Sequence, residues 1–142
     1  MEKVATGQNR SPSRALLVVD HDAEARRGLV NLLRDQGFTV AEAPNGKVAL
    51  DLLLAAAEPP ALVLLDLNLP LMCGWEVIRI MRGHVGLASV PVALVTSEPW
   101  RSGFPAEAVA GHLQKPYAPA DLLALVRRML EAEPSAGAGA AA

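Results

Sequence analysis

Three short apolar runs in this 142-residue chain end on side chains able to do chemistry, and a fourth, briefer run ends the same way. Ala61 to Leu65 ends on Asp66, Ala15 to Val19 on Asp20-His21-Asp22, Val90 to Val95 on Thr96-Ser97, and Gly111 to Gln114 on Lys115-Pro116. Carboxylates gathered in one place repel one another unless a cation sits between them. Mg²⁺ is held by one or two carboxylates together with water and phosphate oxygens. A hydroxyl and an ammonium facing such a pair complete a cradle for phosphoryl oxygens. The reaction implied is attack of a carboxylate on phosphorus to give an acyl phosphate. Each residue also has an ordinary reading: a cap for Asp22 and Thr96, a solvated charge for Lys115, a loop contact for Asp66.

The elements between these residues alternate. After Asp22, which can cap a helix, Ala25, Leu29, Leu32 and Leu33 share one helical face until Gly37. Residues 38–43 are a strand of mixed character, placed near a sheet edge. Asn45-Gly46 then turns into a helix over 47–58, with Val48, Ala49, Leu52, Leu53 and Ala56 on its buried face, stopped by Pro59-Pro60. The Asp66 loop is closed by Pro70 and Gly74, and 74–84 is a helix with Trp75, Ile78 and Met81 inward. Pro99, Gly103 and Pro105 interrupt the stretch after Thr96, leaving at most two helical turns within 106–110. The last helix starts at Ala118 to Asp121 with Pro119 near its first position, and Leu122, Leu123, Val126, Met129 and Leu130 form its apolar face. Five alternations of strand and helix argue an α/β fold, a parallel sheet with helices on both faces. All strands of such a sheet end on the same edge, where ligands bind near the switch in strand order.

Composition narrows the class. With 51% hydrophobic and 20% charged residues, the chain fits one domain with a real core. A net charge of −2 gives no sequence-wide attraction to nucleic acid or anionic lipid, so neither is an expected partner. Cys73 is the single cysteine, no apolar run reaches the roughly 18 residues of a membrane helix, and the N-terminus lacks a secretory core. Together these predict a cytoplasmic protein. Residues 1–14 are expected to be a flexible leader, 15–133 the domain, and 134–142 a disordered Ala/Gly tail.

In order, Val-Val-Asp-x-Asp, Leu-Asp-Leu-Asn-Leu-Pro-x-Met-x-Gly, Val-Thr-Ser and Lys-Pro make the chain, from Ala15 to about Glu133, resemble the receiver domains of two-component response regulators. The resemblance implies a flavodoxin-like, doubly wound five-stranded sheet of order 2-1-3-4-5. Matched by position, Asp66 is the phosphoacceptor, and Asn68 lends its backbone carbonyl to Mg²⁺. Asp20 is the first acid of the metal pocket, Thr96 the hydroxyl that turns toward the phosphoryl group, and Lys115 its pairing cation. A cis Lys115-Pro116 bond is also implied. So are a donor that is a sensor histidine kinase or histidine phosphotransfer protein, an unidentified downstream protein, and no catalysis beyond self-phosphorylation and autodephosphorylation at Asp66.

Three departures set this chain apart from that pattern. His21 stands where such domains usually carry a second metal-binding acid, and imidazole suits Mg²⁺ poorly, so weak Mg²⁺ binding is expected, with Asp22 as a substitute ligand if the loop shifts. His112 stands where a Tyr or Phe usually reports phosphorylation. The span from Thr96 to Lys115 is short, which predicts a stunted fourth helix, with Trp100 and Phe104 either marking an interface or closing over the core. A phosphorylation-deficient pseudo-receiver acting as a protein-binding module is the alternative function. A third reading is a haloacid-dehalogenase-like phosphatase with Asp20 as nucleophile and Asp22 as acid/base.

Overall fold

The computed structural model describes residues 15–141. Its five strands are β1 (Ala15–Val19), β2 (Thr39–Ala43), β3 (Leu62–Leu65), β4 (Val92–Thr96) and β5 (Gly111–Gln114). They form one parallel sheet of order β2-β1-β3-β4-β5, the doubly wound arrangement expected, with β2 at an edge. The helices are α1 (Ala23–Asp35), α2 (Gly46–Ala55), α3 (Gly74–Arg82) and α4 (Pro119–Ala141). The expected leader, 1–14, lies outside the described residues.

Strand alternation divides the core in two. Leu17, Val19, Val63, Leu65, Val92 and Leu94 face α2 and α3, whereas Leu16, Val18, Leu62, Leu64, Ala93 and Val95 face α1 and α4. Because both faces are covered, the central strands read as unbroken apolar runs. Register then aligns their ends: Val19 pairs with Leu65 and Leu65 with Leu94, so Asp20 and Asp66 emerge side by side. The amide of Asp66 still donates to Val19 O, at 3.0 Å, and that of Lys115 to Thr96 O, at 2.8 Å.

One helical expectation needs correction. In α2 the buried residues are Ala49, Leu50 and Leu53, while Leu52 is 40% exposed. The run Leu52-Leu53-Leu54 beside Leu50 leaves the inner face undetermined by periodicity; rotation is set instead by the Asn45 cap and by Gly46, which lies against Val77 and Met72. At the C-terminus, the backbone of α4 runs on past the domain boundary expected at 133.

Between β4 and β5 the chain forms a single 3₁₀ turn, Ala106–Ala108, in place of a fourth long helix. Its anchor is Arg82, at the end of α3. The guanidinium donates to Ala108 O (2.9 Å) at the end of this turn and to Ala88 O (3.1 Å) and Val90 O (2.8 Å) in the loop before β4, tying the two segments together. Burial pushes the pKa of Arg82 down from its ordinary value.

Candidate functional site

The C-terminal edge of the sheet brings Asp20, Asp66, Thr96 and Lys115 together. Asp20 and Asp66 are only 3% and 5% exposed and Thr96 is fully buried. Carboxylates in that position need partners. Asp66 Oδ1 accepts from Thr96 Oγ1 (2.7 Å) and from the Asn68 amide (2.9 Å), while its Oδ2 accepts from Lys115 Nζ (2.8 Å). Asp20 Oδ1 accepts from the Asp22 amide (2.9 Å) and its Oδ2 from the same Lys115 Nζ (2.6 Å). One ammonium thus serves two buried carboxylates. Burial alone would push the Lys115 pKa down, but the bonds to Asp20 and Asp66 and their charges outweigh it and hold the pKa above the ordinary lysine value.

Neighbouring elements fix these groups. The Lys115-Pro116 peptide is cis, as expected. Gly74, at the first position of α3, lies so close to the end of β3 that a Cβ there would sit 2.7 Å from Asp66 O. Arg26, on α1, donates from Nη1 to Asp20 O (2.7 Å) and from Nε to Glu42 Oε1 (2.9 Å), tying the acidic loop to the edge strand. Neither Arg26 nor Arg82 is suggested by residue type. The one available signal for Arg26 is its place one turn into a helix that follows an acidic loop.

The other singled-out residues stand apart from the cluster. Asp22 caps α1, its Oδ1 accepting from the Glu24 and Ala25 amides, and these bonds lower its pKa. His21 is exposed. His112 Nε2 is 3.1 Å from Glu98 O, and its ring meets Trp100 edge-on at 5.6 Å. Trp100 meets Phe104 at 5.2 Å, and Phe104 meets Trp75 at 4.9 Å, so Phe104 packs over the core where a fourth helix would lie, with Trp100 outside it at 40% exposure.

The family pattern for response regulator receiver domains matches residues 16–127. The chain belongs to that family. Chemotaxis protein CheY of Pseudomonas aeruginosa is 34% identical over 120 residues, covering 82% of this chain and 95% of that protein. Sensor kinase CckA of Brucella abortus is 30% identical over 131 residues, which are 92% of this chain but 14% of that much longer protein. Among solved structures, CheY4 of Vibrio cholerae superposes with a TM-score of 0.76 at 27% identity, covering 84% of this chain and all of that one.

For a metal, the donors available are oxygens. Asp20 and Asp66 supply two carboxylates, the number typical for Mg²⁺. Among the described residues, no set of three or more His, Cys, Asp or Glu side chains is arranged to hold an ion. The pair fits Mg²⁺ in kind, without a third acid. The receiver domain of sensor histidine kinase PA1611 from Pseudomonas aeruginosa, which shares this fold at 20% identity and a TM-score of 0.75, has magnesium coordinated in its active site cleft. Among the described residues, no helix is long and apolar enough to cross a membrane.

Proposed function

We propose that Asp66 accepts a phosphoryl group from a phosphohistidine of a sensor kinase or phosphotransfer protein, and that the resulting charge changes affinity for a downstream protein partner. The observation that carries this reading is the buried Asp66 carboxylate, bonded at once to a buried hydroxyl and to an ammonium. In the transfer, a carboxylate oxygen of Asp66 forms a bond to phosphorus as the nitrogen–phosphorus bond of the donor breaks, and the departing imidazole keeps the electron pair and takes a proton. Thr96 and Lys115, which hold the two oxygens of Asp66 beforehand, are placed to donate to the new phosphoryl oxygens. Asp20, Asp66 and the Asn68 carbonyl would hold Mg²⁺, which when bound supplies positive charge to the phosphoryl oxygens. Asp22, engaged as the cap of α1, is not needed for this chemistry, and the same engagement weighs against the phosphatase reading, in which it must exchange protons.

A second reading, a pseudo-receiver that binds a partner without efficient phosphorylation, is favoured by one observation: exposed His21 replaces the second acid. Incubation with acetyl phosphate, with and without Mg²⁺, separates the readings. For the phosphoacceptor, wild type is labelled, Asp66→Asn is not, and Asp20→Asn is labelled poorly through lost metal. No labelling at any Mg²⁺ concentration supports the binding module. Steady phosphate-monoester turnover that survives Asp66→Asn but not Asp20→Asn supports the phosphatase.

A further inference from the structure

We infer that Glu42, on the outer strand of the sheet, is a positioning residue for the chemistry at Asp66: acting through Arg26, it fixes the main chain of Asp20 from the far side of β1. The phosphoacceptor reading supplies the step that Glu42 assists; the linkage itself does not depend on it.

Asp20 lies just past the end of β1, and the groups that hold its main chain come from β2 and α1. Its amide donates to Ala43 O (3.1 Å), and its carbonyl accepts from Arg26 Nη1 (2.7 Å), while Nε of the same guanidinium donates to Glu42 Oε1 (2.9 Å). Two consecutive residues of the edge strand therefore grip Asp20, one directly and one through Arg26. Asp66 is aligned differently, by its amide on Val19 O (3.0 Å). The spacing of the two carboxylates thus depends on an outer strand that Asp66 does not touch in the ladder.

Residue type and place suit the task. Strand alternation puts Glu42 on the same face of β2 as Val40, which packs in the α1 and α4 half of the core, so its carboxylate points toward α1 and Arg26. Arg26 closes the acidic loop twice, with its main-chain amide on Asp22 O (2.8 Å) and its guanidinium on Asp20 O. A planar guanidinium can serve a carbonyl and a carboxylate at once, in fixed directions; an ammonium on a flexible stem has no such fork. The Arg26 side chain is 16% exposed and that of Glu42 is 41% exposed. The linkage is buried at the Asp20 end and open to solvent at the Glu42 end.

The test is acetyl phosphate labelling of Asp66 at fixed Mg²⁺ in Glu42→Ala, Glu42→Gln, Arg26→Lys, Arg26→Met and the Glu42→Ala/Arg26→Met double variant, each rate divided by the folded fraction. Arg79→Met, which breaks an exposed pair with Glu76 (3.4 Å), is the control and should label like wild type. Misplacement of a reacting constellation by a fraction of an ångström should make Glu42→Ala label about tenfold more slowly at saturating donor, with the half-saturating acetyl phosphate concentration unchanged. Glu42→Gln, which keeps an acceptor oxygen, recovers most of the rate; Arg26→Lys does not; and the double variant is no slower than Arg26→Met. A merely stabilising pair would lower the melting temperature and leave the rate per folded molecule as in wild type, and that result, or slowing that simply multiplies in the double variant, overturns the inference. Should Arg26→Met fail to fold, the two Glu42 variants decide alone.

Hydrogen exchange of the Asp20 amide and the NMR shift of the Asp22 amide, which donates to Asp20 Oδ1 (2.9 Å), report on the linkage without labelling. Faster exchange and a moved shift in Glu42→Ala support it even if wild type is never labelled, an outcome that removes the phosphoacceptor reading alone. Unchanged exchange and shift, with wild type labelled normally, remove this inference alone.

Discussion

Gly74→Ala perturbs Asp66, the proposed phosphoacceptor, without touching its side chain. The added Cβ would lie 2.7 Å from Asp66 O, 2.9 Å from Leu67 Cα and 3.0 Å from Leu67 Cδ2. Two of these are backbone atoms, so no rotamer change relieves the contact. Moving from 2.7 Å to an ordinary 3.4 Å contact requires α3 and the end of β3 to separate by roughly 0.7 Å. Overpacking of this kind costs about 1–3 kcal/mol, partly offset by up to ~1 kcal/mol of improved helix propensity. A net loss of about 1–2 kcal/mol lowers the melting temperature of a domain this size by about 4–10 °C. The effect on function is larger. A reacting group misplaced by ~1 Å can lose about a hundredfold in rate, so a shift of this size slows Asp66 labelling by tenfold or more. Gly28→Ala is the control: on α1, its Cβ meets nothing within 4 Å. It should raise stability by about 1 kcal/mol and leave labelling unchanged. Calorimetric melting and acetyl phosphate labelling of both variants check this, and a Gly74→Ala protein that melts and labels like wild type refutes the claim that the close approach positions Asp66.

Thr96→Val keeps shape but removes the hydroxyl bonded to Asp66 Oδ1, which should cost about 1.5–3 kcal/mol in denaturant unfolding and slow labelling, whereas Thr96→Ser retains most of both. Arg82→Ala strands the carbonyls of Ala88, Val90 and Ala108; a loss of about 2–3 kcal/mol is expected, with hydrogen exchange accelerated over 98–110 before the central strands respond. For Lys115 the folded pKa lies above the unfolded one, so its stabilising contribution is complete below the ordinary lysine value of about 10.4 and is lost as pH rises through the folded value. Melting curves of wild type and Lys115→Met should therefore converge only at strongly alkaline pH. Asp22 has the opposite sign: its lowered pKa gives a contribution present above about pH 3.9 and lost as pH falls through the folded value, a step that Asp22→Ala removes from the acid titration.

What the sequence discloses about this fold depends on how many faces an element buries. Strands β1, β3 and β4 bury both, so Leu16 to Val19, Leu62 to Leu65 and Val92 to Val95 are legible as continuous apolar runs. Parallel strands ending on one edge then bring Asp20, Asp66, Thr96 and Lys115 together without any information about side chains. The inner face of α2 is not legible, because Leu52 and Leu54 are as apolar as Leu50 and Leu53, and only the Asn45 cap and the contact at Gly46 select between them. Arg26 and Arg82 are hidden for a different reason. Apart from Glu42, their targets are backbone carbonyls, and a carbonyl leaves no mark on the residue type that carries it.

The stunted span between β4 and β5 gives the site an unusual neighbour. A full helix would satisfy its own backbone and cover the sheet with a rigid rod; here one guanidinium and a line of aromatic contacts from Trp75 through Phe104 and Trp100 to His112 do that work. Segments held by side chains and few backbone bonds belong to the low-stability end of a structure. Glu98 links this segment to the chemistry, its amide 3.4 Å from Thr96 Oγ1 and its carbonyl 3.1 Å from His112 Nε2. Under the proposed phosphorylation, a Thr96 hydroxyl turning to a phosphoryl oxygen would give up the weak Glu98 contact while the Glu98 carbonyl stays tied to His112. If Asp66 is phosphorylated and Thr96 turns, Trp100→Ala should shrink the resulting amide shifts at 98–110, and unchanged shifts would count against this route.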